Sequence, residues 1–159
     1  MKRFIKSILI IIVLFVTLTH SLKAHNPDQS YLYFNVYEKT MDGTVEMTIK
    51  DINTALGLDL DPSPYFKGRN DEITKEPLPA EWQVHQSRLT EYIKSRIAIS
   101  SGGQDIPMVF TDMEILKLSE AIYILSNFEM PSVSTIPDDI DIDYNILFDK
   151  DDIHRGFTI

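Results

Sequence analysis

The chain contains no cysteine. Disulfides, thiolate metal ligands, cysteine nucleophiles and a lipid carried on cysteine are therefore excluded, and stability has to come from packing. Glycine is sparse, six in 159 residues, and no phosphate-cradling glycine motif or Gly-x-Ser-x-Gly elbow occurs, which removes the usual signals for nucleotide binding and serine hydrolysis. No internal repeat is present. Basic residues are few, 15 Lys and Arg against 24 acids, for a formal net charge of −9. Such a surface is a poor match for nucleic acid or an anionic membrane. Among so many carboxylates no acid–base pair stands out, so the expectation is a non-catalytic protein.

What is present is concentrated first at the start. Lys2, Arg3 and Lys6 precede an unbroken apolar run from Ile8 to Val16, and Ser21-Leu22-Lys23-Ala24 offers a small residue at a cleavage point, the pattern of a secretory signal. The apolar stretch falls short of the roughly 20 residues that cross a bilayer. Residues 1–24 are therefore expected to be a signal peptide and residues 25–159 a single extracytoplasmic domain. Removal takes four bases and no acid, so the mature chain is still more acidic. It would begin at His25, whose amine and imidazole together form a chelate suited to copper or nickel.

Along the mature chain, Leu32, Phe34 and Val36 alternate with Tyr31, Tyr33, Asn35 and Tyr37, which predicts a strand. The Asp42-Gly43 pair predicts a turn before a second strand carrying Val45, Met47 and Ile49. Residues 51–58 predict a short helix, capped by Asp51 or Asn53 and stopped by Gly57. Pro62, Pro64, Gly68, Pro77 and Pro79 predict a long loop over 59–79. From Pro79 to about Arg96 the spacing of Trp82, His85, Leu89, Tyr92 and Ile93 predicts one long helix. Ile97 and Ile99, a Gly102-Gly103 turn, then Ile106, Met108 and Phe110 predict a second hairpin. Ile122–Leu125 reads as a strand, and Ile140, Ile142, Tyr144 and Ile146 alternate with Asp139, Asp141, Asp143 and Asn145 as a strand with an acidic outer face. The sum is an α+β, mainly β fold: an antiparallel, sandwich-like sheet packed by one long helix.

The order of several short motifs resembles the extracytoplasmic N-terminal region of HupE/UreJ-like membrane proteins. The residues that carry it are Ala24-His25 with Ser30-Tyr31-Leu32, Ile49-Lys50-Asp51-Ile52, Leu56-Gly57-Leu58-Asp59, Leu147-Phe148-Asp149 and His154-Arg155-Gly156. In that family the region precedes a transmembrane bundle related to nickel and cobalt permeases. The resemblance implies either a membrane-protein partner or a transmembrane part beyond Ile159. It also implies a calcium-loop-like pattern after Leu-Gly-Leu-Asp, from which this chain departs: Asp59 and Asp61 keep the first acids, while Pro62 and Pro64 break the spacing of an EF-hand. Asp71, Glu72 and Glu76 are the remaining oxygen donors for a looser cage.

The candidate metal ligands are thus His25 and His154 for nickel or copper, and Asp59 and Asp61 for calcium. His85, on the apolar helical face, is expected to be a packing residue. The expected role is an exported accessory or sensing module of a membrane protein, binding a divalent metal. The alternatives are a pure interaction module docking through its tyrosines, which the long helix is otherwise expected to cover, and a secreted copper enzyme built on His25.

Overall fold

A computed structural model describes residues 29–66, 73–118, 121–131, 137 and 139–148, with the backbone of 155–158. The fold is α+β and mainly β, as the sequence patterning predicts. A six-stranded sheet runs in the order β3 (Thr74–Pro77), β6 (Val109–Lys117), β7 (Ile122–Glu129), β2 (Met41–Thr48), β1 (Gln29–Val36), β9 (Arg155–Thr158). A three-stranded sheet runs β5 (Gln104–Asp105), β4 (Ile97–Ser101), β8 (Asp141–Tyr144). Every pairing is antiparallel except that of β1 with β9.

The register sorts the larger sheet into two faces. Leu32 pairs with Val45 and Phe34 with Gly43; across the next ladder Val45 meets Ser126, Met47 meets Ile124 and Gly43 meets Phe128. This face carries the main core. Onto it pack α1 (Ile49–Leu56) through Ile49, Ile52 and Leu56, α3 (Gln86–Arg96) through Leu89 and Ile93, the smaller sheet through Ile97 and Ile99, and the turn after β8 through Ile146 and Leu147. The opposite face shows Tyr31 paired with Glu46, Glu46 with Leu125, and Thr48 with Tyr123. Leu116, Tyr123 and Leu125 form a small separate cluster there.

Several expectations shift in detail. The first hairpin forms, but its turn lies at Tyr37–Thr40, where the Tyr37 N–H donates to the Thr40 carbonyl at 2.9 Å, and Asp42-Gly43 sits inside β2. Gly43 is there for space: a Cβ on it would lie 2.6 Å from the Tyr33 carbonyl oxygen and against the Phe128 ring. Helix α1 starts two residues earlier than expected, capped by Thr48, whose hydroxyl accepts the Asp51 N–H at 3.0 Å. Gly57 ends it with a left-handed φ of 61°, the conformation glycine adopts without steric cost.

The predicted loop over 59–79 contains β3, a four-residue edge strand. Pro77 is tolerated because it ends an edge strand. The predicted long helix is two, α2 (Ala80–Gln83) and α3, separated where the His85 N–H reaches back only three residues to the Trp82 carbonyl at 3.0 Å. Trp82, Leu89 and Ile93 still share the buried face and His85 is half-buried. In the 97–110 hairpin only two residue pairs form, Ser100 with Asp105 and Ser101 with Gln104. The chain then crosses to the larger sheet, where Val109–Lys117 pairs with β7. The acidic strand β8 forms over Asp141–Tyr144, shorter than the predicted alternation from Asp139 to Ile146, with Asp141 and Asp143 exposed and Ile142 and Tyr144 turned inward.

Candidate functional site

The predicted metal ligands divide into two groups. His25 and His154 lie outside the described residues, as do Asp71 and Glu72. Asp59 and Asp61 are described and exposed. Their outward placement has a local cause: the Asn53 amide clamps Leu60, donating to its carbonyl at 3.0 Å and accepting its N–H at 2.9 Å. Leu60 is thereby held in the core, and the aspartates on either side face solvent. The Asp61 carboxylate accepts the Ser63 N–H at 2.9 Å, and its hydrogen bonds with Ser63 hold its pKa below the usual value. Glu76, on β3, pairs with Lys117 at 2.5 Å. Among the described residues no group of three His, Cys, Asp or Glu is placed to hold a metal ion.

The tyrosines expected beneath the long helix lie elsewhere. Helix α3 packs on the face that carries Leu32 and Val45, whereas Tyr31 and Tyr33 share the opposite face with Glu46. Tyr31 and Tyr33 stack with ring centroids 6.1 Å apart, and the Tyr31 hydroxyl donates to Gln29 Oε1 at 2.7 Å. Burial, then the charge of Glu46, pushes the Tyr33 hydroxyl up to about 12. Tyr123, two strands over, is raised further by burial and by the same carboxylate. Glu46 itself is buried. Tyr33 and Tyr123 thus hold their protons tightly beside one buried carboxylate.

Toward the β1–β2 turn the same face becomes polar and open. Asn35 Nδ2 donates to Asp42 Oδ1 at 2.8 Å. Thr44 donates to Asn127 at 2.7 Å, Asn127 donates to Asp112 at 3.1 Å, and Thr111 donates to Asp112 at 2.8 Å. At this end three apolar side chains stand out of the surface: Val36 is 48 % exposed, Tyr37 54 % and Val109 55 %. They do not form one patch: Asn35, Asp42, Glu129 and Val109 form one row across four strands, which puts Val109 three strands from β1, while Val36, paired with Met41, alternates onto the face of Leu32 and Phe34. The polar ladder was not foreseen from the sequence. Its signal is the run of Asp42, Thr44 and Asn127 at alternate strand positions.

A scan of known protein-family models, a search of curated proteins and a search of solved structures each give no match to this chain. Among the described residues no helix is long and apolar enough to cross a membrane.

Proposed function

We propose that this chain is an exported, non-catalytic interaction module that docks on a membrane protein, the role implied by its resemblance to the extracytoplasmic region of HupE/UreJ-like proteins. The observation that carries this reading is the adjacent, exposed pair Val36 and Tyr37 at the β1–β2 turn end of the larger sheet. Single exposed apolar residues are common on soluble proteins; an adjacent exposed pair that includes a tyrosine, at the end of a sheet, fits a contact surface. The amino-terminal signal pattern and acidic surface support export and argue against nucleic acid or anionic lipid as the partner. A divalent metal at His25 and His154 belongs to the same reading through the motifs alone.

The test is site-specific photo-crosslinking in the native host. A crosslinking residue at position 37 is expected to capture one membrane protein, and the same residue at Val84, 76 % exposed on the α2–α3 connection, is not. Identical products from both positions, or none from position 37, overturn the proposal.

A further inference from the structure

Five of the six methionines lie among the described residues, and all five belong to the main core. Two of them are alone in their row of the larger sheet. Met47 pairs with Ile124, which pairs onward with Ile115, and Met113 pairs with Ser126, which pairs onward with Val45. The other three stand together. The Met130 N–H donates to the Met41 carbonyl at 2.9 Å, one step beyond the Asp42–Glu129 pair. Met108 stands one step before Val109, which pairs with Glu129 from the other side. Met41, Met130 and Met108 therefore occupy one row at the end of three neighbouring strands, with Met130 in the middle. Alternation puts them on the face of Gly43, Phe128 and Phe110, each two residues away along its own strand. Their exposure rises along the row, 1 %, 4 % and 9 %, so Met108, beside the exposed Val109, marks the entrance.

We propose that Met41, Met108 and Met130 form a thioether site for a soft monovalent metal ion, copper(I). The methionine side chain is unbranched and its sulfur is uncharged and polarizable, and thioethers select copper(I) over the harder divalent ions. Neighbouring strands are about 5 Å apart, so the two outer side chains have roughly 10 Å to close and meet above Met130. No ligand in the row has to lose a proton, so the site stays competent in acid, where histidine does not. The surroundings favour low charge. The next row holds Phe128 and Phe110, and Lys94 Nζ already stands 5.6 Å from the Phe110 ring centre. Charge is costly in such an apolar place, and a monovalent ion brings less of it than a divalent one. This inference is independent of the docking role and of His25 and His154.

The test titrates silver nitrate, a redox-inert stand-in for copper(I), into the full chain at pH 5 in chloride-free buffer. At that pH histidines are largely protonated and compete poorly. Methionine methyl NMR follows the binding, and Met130→Leu is compared with Met47→Leu, both volume-conserving exchanges. Expected are methyl shifts at Met41, Met108 and Met130 together, with none at Met47 or Met113. Affinity should fall at least about ten-fold in Met130→Leu, the scale of losing a group that holds a metal, and stay unchanged in Met47→Leu. Copper(I) kept reduced with ascorbate should give the same pattern. No methyl shift at millimolar silver overturns the proposal, as do equal shifts at all five methionines, which would mean metal entering an opened core. Unaltered binding in Met130→Leu overturns it too. The methyl shifts of the parent chain decide the question even if Met130→Leu does not fold. Loss of crosslinking at position 37 leaves this site standing, and failure of silver binding leaves docking standing.

Discussion

Gly43 and Phe128 meet across the β2–β7 ladder so closely that the glycine has no space for a side chain. Its own pairing partner side is equally crowded, because the Tyr33 carbonyl oxygen would stand 2.6 Å from an added Cβ. Gly43→Ala is therefore expected to destabilise the fold by about 1–3 kcal/mol, the range for forcing extra methyl volume into a packed site. Urea unfolding measures it. Adding Phe128→Leu should recover only part of the loss, because the backbone carbonyl cannot move as a side chain does; full recovery would contradict this account.

Tyr92 and Leu147 offer a second test. Leu147 is buried with a φ of 63°, a conformation that costs a non-glycine residue roughly 1–2 kcal/mol. Its N–H donates to the Tyr92 hydroxyl at 3.0 Å. Tyr92→Phe should cost about 1 kcal/mol through that bond. Leu147→Gly relieves the backbone but empties a core position worth roughly 2–5 kcal/mol, so the variant should be less stable than the parent. A gain in thermal midpoint would refute this balance.

Alkaline pH should unfold the protein from within the tyrosine clusters. Tyr33 and Tyr65 are raised to about 12, Tyr33 chiefly by burial and Tyr65 chiefly by its hydrogen bond to Glu81; Tyr123 and Tyr144 are raised further by burial. A raised value means the folded chain holds the proton more tightly than the unfolded one. The stabilisation is complete below the ordinary tyrosine value of about 10 and is lost as pH climbs through the folded values. Tyrosinate absorbance and circular dichroism should therefore change together above pH 10. Ionisation of all seven tyrosines near pH 10 with structure intact would contradict it.

On the acid side the Tyr65–Glu81 hydrogen bond makes a separate prediction. The bond lowers the Glu81 pKa, so its contribution is present above the ordinary glutamate range and fades as pH falls through the lowered value. In Tyr65→Phe the Glu81 carboxyl should titrate closer to its usual pH, followed by carboxyl NMR. The Tyr65 ring, at 4.9 Å from that of Trp82, should keep its place.

The metal reading of the histidines gives an ordered set of outcomes. A chain starting at His25 should bind nickel or copper, lose affinity with one residue added before it, and lose it again in His154→Ala. Asp59→Ala and Asp61→Ala should leave that binding unchanged, since both residues face solvent on the loop after α1. Calorimetry separates these cases, and binding indifferent to both His154→Ala and the extension would discard the shared histidine site.

Local patterning made most elements legible and left their junctions uncertain. The alternation around Val45 and around Ile142 identifies β2 and β8 by residue type; β8 has one face turned inward and one exposed, whereas in β2 Glu46 and Thr48 are buried along with Val45 and Met47. Asp42-Gly43 misleads as a turn because a glycine required by a side chain 85 positions away, Phe128, looks locally like one required by φ. Thr74–Pro77 is polar and proline-ended, and it is a strand only because β6 lies beside it. The tyrosines of β1 were correctly put on one face, but which sheet face a helix covers depends on the path between elements, and no period in the sequence encodes that.

The parallel pairing of β1 with β9 has a mechanical consequence. The register runs from Gln29 beside Arg155 to Leu32 beside Thr158, so the chain enters β1 at one end of the pair and leaves β9 at the other. A pull applied between Gln29 and Thr158 acts along both strands in opposite senses. The ladder bonds between them are then loaded together, in shear, instead of parting one at a time as in an unzipping hairpin. A module held at one end and tugged by a partner at the other would meet the force with its stiffest geometry.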